Sequence, residues 1–216
     1  TIAGWTASKL VAEYGSPLYV IDQQDLIERI QTFKQSFVSK QFQTNIIYAS
    51  KAFTNLYMAQ LGEQQGLSMD VVSGGELYTA VEAGVNAANI YFHGNNKLPN
   101  ELEYAVQSGV GTIVLDHDYE LELLAAIAKE QQQQVRVLLR VNPGIEAHTH
   151  EYIQTTNNDS KFGVSIFDER TLPFIQRIAE TEYIHFAGLH CHIGSQVFEE
   201  ESFMKEASEM LAYAKK

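Results

Sequence analysis

Short apolar runs alternate with longer amphipathic stretches along most of the chain, and this rhythm most tightly limits the possible folds. Residues 45–51, 67–73, 89–93, 112–116, 135–142 and 184–193 read as strands, with 135–142 the most strongly apolar. Residues 54–65, 76–83, 99–107, 119–132, 171–180 and 199–216 carry helical spacing, as in Leu56, Ala59 and Leu61 on one face of the first. Gly84 and Gly109 stand just past two of these helices, where a left-handed residue ends a helix. A further strand is expected at 18–22 and a helix at 25–37. Strict β-α alternation with near-continuous apolar strands implies a parallel sheet covered by helices. No G-x-G-x-x-G turn opens a helix after a strand, and Ser73-Gly74-Gly75 has the wrong spacing, which disfavours an open dinucleotide-binding sheet. The expectation is an α/β fold, a TIM-type (β/α)8 barrel cut short. About six barrel strands are visible where closure takes eight and usually about 250 residues.

Composition narrows the function classes. The 216 residues carry a net charge of −12, with 45% hydrophobic and 19% charged side chains, an ordinary globular balance with room for a buried core. The acidic surplus argues against sequence-blind nucleic-acid binding, which needs excess Lys and Arg, but leaves room for a local small-anion pocket. The one cysteine, Cys191, rules out an internal disulfide and a cysteine-built zinc site. No run of about 18 apolar residues suggests a membrane span. The opening residues, Thr1 to Thr6, lack the basic and apolar regions of a signal peptide, so a cytoplasmic setting is expected.

Several polar residues interrupt the apolar strands. Alternation puts Ile47, Ala49 and Lys51 on one strand face, with Lys51 at the carboxyl end, where barrels gather their ligands. A lysine desolvated there becomes a nucleophilic amine suited to a Schiff base; the plainer alternative is a side chain that snorkels to water. Asp70 and Arg140 either join Lys51 in an inward-facing network or point outward to helices. His190 and His192 share a strand face and, like His148 and His150 in a loop, have the spacing of metal ligands, which leaves a metal-dependent hydrolase as an alternative. Histidines in a core or on a surface are nevertheless commoner than ligands. His192 has a second use, since an imidazole stacks on an aromatic ring. Gly194-Ser195-Gln196 offers N–H groups and a hydroxyl ahead of the last helix, either as a phosphate cradle or as an ordinary turn.

Taken together, the motifs carry more. Gly15-Ser16-Pro17-Leu18-Tyr19-Val20, Tyr48-Ala49-Ser50-Lys51-Ala52, Asp70-Val71-Val72-Ser73-Gly74-Gly75-Glu76, Asp159-Ser160-Lys161-Phe162-Gly163 and His190-Cys191-His192-Ile193-Gly194-Ser195-Gln196 occur in this order. With them the chain resembles, over essentially its whole length, the diaminopimelate decarboxylases, a branch of the pyridoxal-phosphate decarboxylases with the alanine-racemase-type barrel. Arg140-Val141-Asn142-Pro143-Gly144-Ile145 and His148-Thr149-His150-Glu151-Tyr152-Ile153 discriminate best, the latter pointing away from the ornithine and arginine branches. The resemblance implies pyridoxal 5′-phosphate as cofactor and decarboxylation of meso-2,6-diaminopimelate to L-lysine. It implies Lys51 as the Schiff-base lysine, His192 stacked on the pyridine ring, Ser195 near the phosphate, and Asp70 and Arg140 close to lysine and ring. It implies no metal, a small amino-acid substrate and a homodimer. Thr155-Thr156 departs from the family's usual Thr-Gly, and a Cβ there restricts the loop. The resemblance also implies a later glycine-rich phosphate loop, a Glu-Pro-Gly-Arg segment and a C-terminal β-domain, which have no counterpart within these 216 residues. Cys191 is in the wrong motif to be that domain's catalytic cysteine. The expected organisation is a leading segment, 1–23, and a partial cofactor-binding barrel, 24–216, probed against the alternative of a non-catalytic cofactor-binding module.

Overall fold

The computed structural model describes residues 1–145, 161–195 and 197–216. Two helices lead, α1 (Ala7–Tyr14) and α2 (Gln23–Ser36). There follow β1 (Ile47–Ala49), α3 (Leu56–Gln64), β2 (Ser68–Val71), α4 (Gly74–Glu82), β3 (Ile90–Phe92), α5 (Pro99–Gln107), β4 (Thr112–Leu115) and α6 (Asp118–Gln131). The series closes with β5 (Val135–Asn142), β6 (Val164–Ser165), α7 (Thr171–Glu180), β7 (Ile184–His190) and α8 (Glu200–Tyr213). Every strand pairing is parallel, in the order β1-β2-β3-β4-β5, and β7 lies against Val135–Arg140 of β5. The two-residue β6 adds to the end of β5 at Val141 and Asn142. Among the described residues β1 and β7 do not meet, so the seven-stranded sheet is an unclosed TIM-type barrel.

The elements form where local chemistry favours them. Asn55 and Ser73 cap α3 and α4, their side chains accepting the N–H groups of Met58 (2.8 Å) and Glu76 (3.3 Å). Pro99 occupies the first position of α5, and Gly84 and Gly109 take the positive φ that closes α4 and α5. Along β5, Val135, Val137, Leu139 and Val141 are buried, and on β2 Met69 and Val71 are buried likewise. These side chains meet Leu77, Leu102, Leu124 and Ile178 from the helices, so the core is the layer between sheet and helices. The opposite strand faces carry Asp70 and Arg140, and Arg140 is in register with His190 of β7.

Three expectations are corrected. Residues 18–21 form no strand and are exposed, because among the described residues no neighbouring strand offers them a ladder. The first barrel strand ends at Ala49, and a 3₁₀ turn, Ser50–Ala52, carries Lys51. The last strand ends at His190, short of His192. The helix α1 and the short β6 are additions that the apolar rhythm does not announce. No helix among the described residues is long and apolar enough to cross a membrane.

Candidate active site

At the carboxyl ends of the strands a cavity of about 440 Å³ is lined by residues from both sides of the open sheet. Lys51 follows β1, Asp70 lies on β2, His93 follows β3, Arg140 is on β5, and His190 and His192 end or follow β7; Phe162 and Ser195 complete the rim. The volume falls within the range of small-ligand and cofactor sites. Lys51, Asp70, Arg140, His192 and Ser195, all singled out in the sequence, thus border one space. His148, His150 and Gln196 lie outside the described residues. Among the described residues no three His, Cys, Asp or Glu side chains are gathered as metal ligands.

The placement of Lys51 has a local cause. The Ser50 N–H donates to Asp70 Oδ1 (2.8 Å), and the Ser50 hydroxyl lies 3.3 Å from Glu76 Oε2, which also accepts the Val72 N–H (2.7 Å). These bonds bend the chain out of β1 immediately before Lys51. Of the two readings left open for Lys51, a desolvated amine or a side chain that reaches water, the structure has the second, since Lys51 is exposed. Of the two readings left open for Asp70 and Arg140, the structure has the inward one: both border the cavity with Lys51, though each bonds a different partner. Asp70 serves the Ser50 backbone, and Arg140 Nε faces Asp116 Oδ1 at 4.0 Å, with its guanidinium 4.4 Å above the Phe162 ring. Burial pushes the Asp70 carboxyl up, against the Ser50 N–H and the Lys51 charge that favour its ionised form. Burial also raises Asp116 and lowers Arg140, and a separation of 4.0 Å is too wide for their attraction to offset it.

Three imidazoles share the cavity in neutral form. Burial, reinforced by the cations Lys97, Arg140 and Lys51, lowers His93 to about 3. Burial, the neighbouring His93 and Arg140 take His190 to about 2, and burial with Lys51 and Arg140 takes His192 to about 4. His93 and His190 meet edge to face, ring centroids 4.7 Å apart, with His93 Nε2 and His190 Nδ1 buried without a hydrogen-bond partner. Cys191 points elsewhere: its thiol donates to Glu206 Oε1 (2.7 Å), and burial together with that carboxylate drives its pKa upward.

Sequence reasoning missed His93, Lys97, Asp116 and Glu120. His93 and Asp116 each stand one residue past an apolar strand, at the ligand end of a barrel, and that position was the available signal. Lys97 and Glu120 carried none, because one lies in a loop and the other in the first turn of a helix.

The chain is similar to known proteins in sequence and in fold. The family model described as pyridoxal-dependent decarboxylase, pyridoxal binding domain, matches residues 23–216. A diaminopimelate decarboxylase of Bacillus subtilis is 48% identical over 97% of this chain and 48% of its own length. One from Halalkalibacterium halodurans is 47% identical over 94% of this chain and 46% of its own. The crystal structure of diaminopimelate decarboxylase from Helicobacter pylori complexed with L-lysine superposes with a TM-score of 0.88 at 29% identity, covering 97% of this chain and 52% of that one. The chain spans about half the length of the curated relatives it matches.

Proposed function

The chain belongs to the pyridoxal-dependent decarboxylases, in their pyridoxal-binding domain, and from that we propose that its protein decarboxylates meso-2,6-diaminopimelate to L-lysine using pyridoxal 5′-phosphate. The observation that carries this reading is the meeting of an exposed primary amine, a guanidinium, a neutral imidazole and a hydroxyl around one cavity. That donor set fits an aldehyde on a flat, anionic ring. In this reading residues 24–216 form the cofactor-binding part, 1–23 precede it, and the protein acts as a cytoplasmic homodimer.

When bound, the cofactor's pyridine ring supplies a sink for the electron pair left as CO₂ departs. The chain's own residues do the holding. Lys51 stands exposed and presents its Nζ as the attachment point. Asp70 fixes the Ser50 N–H and with it the turn that carries Lys51. His192, neutral at working pH, would pack against the cofactor's aromatic ring without desolvating a charge. Arg140 and Ser195 supply positive charge and a hydroxyl for anionic groups. Lys97 is unsuited to attachment, since its Nζ is engaged by the Gly94 carbonyl (2.6 Å), the Val114 carbonyl (2.8 Å) and Glu120 (2.6 Å).

The test is borohydride reduction of the full-length natural protein with pyridoxal phosphate, followed by peptide mapping. The reduced adduct is expected on Lys51 and is expected to vanish in Lys51→Ala. An adduct on Lys97 or Lys161 instead overturns the assignment. Release of CO₂ from meso-diaminopimelate, but not from ornithine or arginine, tests the substrate.

A further inference from the structure

Behind the cavity wall lies a buried ion pair that the proposed chemistry does not use. Lys97 Nζ sits 2.6 Å from Glu120 Oε1, with side-chain exposures of 1% and 3%. The pair has further partners. The lysine also donates to the carbonyls of Gly94 and Val114, and Glu120 Oε2 accepts the Asp116 N–H at 2.9 Å. Asp116 Oδ1 in turn accepts the Gly163 N–H (2.9 Å) and faces Arg140 Nε. A second path runs alongside. The Glu120 N–H donates to His117 Nδ1 (3.2 Å), His117 Nε2 donates to the Asn95 carbonyl (3.2 Å), and Asn95 Nδ2 donates to the Lys161 carbonyl (3.3 Å). The ends of β3 and β4 and the 161–163 backbone are thereby tied together, and Gly94, Asn95, Arg140 and Phe162 at these junctions border the cavity.

We propose that Lys97 and Glu120 are positioning residues, whose buried pair anchors Asp116 and through it sets the placement of Arg140 and of the Gly163 backbone at the cavity wall. The inference deepens the cofactor-site reading and rests on it for the role of the cavity. Three considerations support it. A buried ion pair is a poor way to gain stability, because desolvation consumes most of the attraction, whereas directed bonds to several partners fix geometry. Glu120 sets Oε1 against the Lys97 ammonium as an ion pair and offers Oε2 to the Asp116 N–H, so neither an amide nor an alkyl side chain can serve both. Close approach is also required at the far end, since a Cβ on Gly163 would stand 2.8 Å from the Arg140 carbonyl oxygen.

Glu120→Gln tests this in the full-length protein. Its amide must turn NH₂ toward either Lys97 Nζ or the Asp116 N–H, so one of the two links is lost. Ile178→Val in α7 serves as a control, a mildly destabilised protein whose altered side chain is in the core and outside the network. Two readouts are taken: hydrogen–deuterium exchange of peptides carrying Asp116 and Gly163 without cofactor, and pyridoxal phosphate affinity by absorbance titration. The expected result is exchange at least tenfold faster and affinity at least tenfold weaker than in the control. Should Glu120→Gln fail to fold, Lys97→Met/Glu120→Met, which leaves neither charge buried without its partner, carries the same comparison. Exchange at both peptides equal to the control overturns the inference. Wild-type protein that takes up no cofactor overturns the cofactor-site reading instead, and the exchange comparison still decides the positioning role.

Discussion

His192 is where one side chain most directly tests the proposed ligand. Its imidazole borders the cavity and is held neutral by burial and by the nearby Lys51 and Arg140 charges. Stacked rings gain roughly 0.5–1.5 kcal/mol beyond the area they bury. His192→Ala is therefore expected to weaken pyridoxal phosphate binding by about two- to tenfold while circular dichroism stays unchanged; unaltered affinity in the titration would count against stacking. Gly163 makes a second residue-scale prediction. It holds a φ of +69°, and an added Cβ would meet the Arg140 carbonyl oxygen at 2.8 Å. Gly163→Ala is expected to cost about 1–3 kcal/mol in urea denaturation, from backbone strain alone. At this scale the sequence was readable where a motif carried the residue, as with Lys51, Asp70, Arg140, His192 and Ser195. It was silent on Lys97 and Glu120, which meet only through tertiary packing.

At the scale of elements, the ends of β3 and β7 bring His93 and His190 into edge-to-face contact. Both imidazoles have folded-state pKa values, about 3 and about 2, well below the value of an unfolded histidine. A depressed histidine contributes stability that is complete above the unfolded pKa and is lost as pH falls below it, because the unfolded chain then binds protons that the folded one refuses. Acidification from pH 7 to pH 5 is thus expected to cost roughly 2 kcal/mol per histidine. Urea denaturation at the two pH values measures it, and His93→Gln/His190→Gln is expected to flatten the dependence. Gly111 offers a purely steric test at the entry to β4. A Cβ there would lie 1.9 Å from the Ala88 carbonyl oxygen, a backbone atom that cannot step aside. Gly111→Ala is expected to lower stability by about 3 kcal/mol or more, read from the denaturation midpoint.

For the molecule as a whole, the sheet edges dominate. Among the described residues β1 pairs only with β2, and β7 pairs only with β5 and not with β1. Unpaired edges template pairing with another chain, and Tyr19, Phe33, Phe37 and Phe42 leave further apolar surface exposed near the start. Residues 1–216 expressed alone are expected to self-associate in sedimentation velocity at micromolar concentration. A monodisperse monomer would show that these edges are protected.

The sequence by itself determined the class of fold, because a period of two in the strands and 3.6 in the helices is written locally, residue by residue. Residues 99–107, 135–142 and 171–180 were read from that rhythm with the bounds that the structure gives. It also named the cavity residues that ordered motifs carry. Only the tertiary structure decided that β1 stops before Lys51, since the stop depends on Asp70 and Glu76 reaching across to Ser50. Only it decided that residues 18–21 form no strand, since a strand exists through its partner's hydrogen bonds and the chain's own pattern does not supply the partner. The same holds for the Lys97–Glu120–Asp116 relay. Lys97 is distant along the chain from Asp116 and Glu120, and the energetics of the pair arise from burial and distance, two quantities that exist only once the elements have packed.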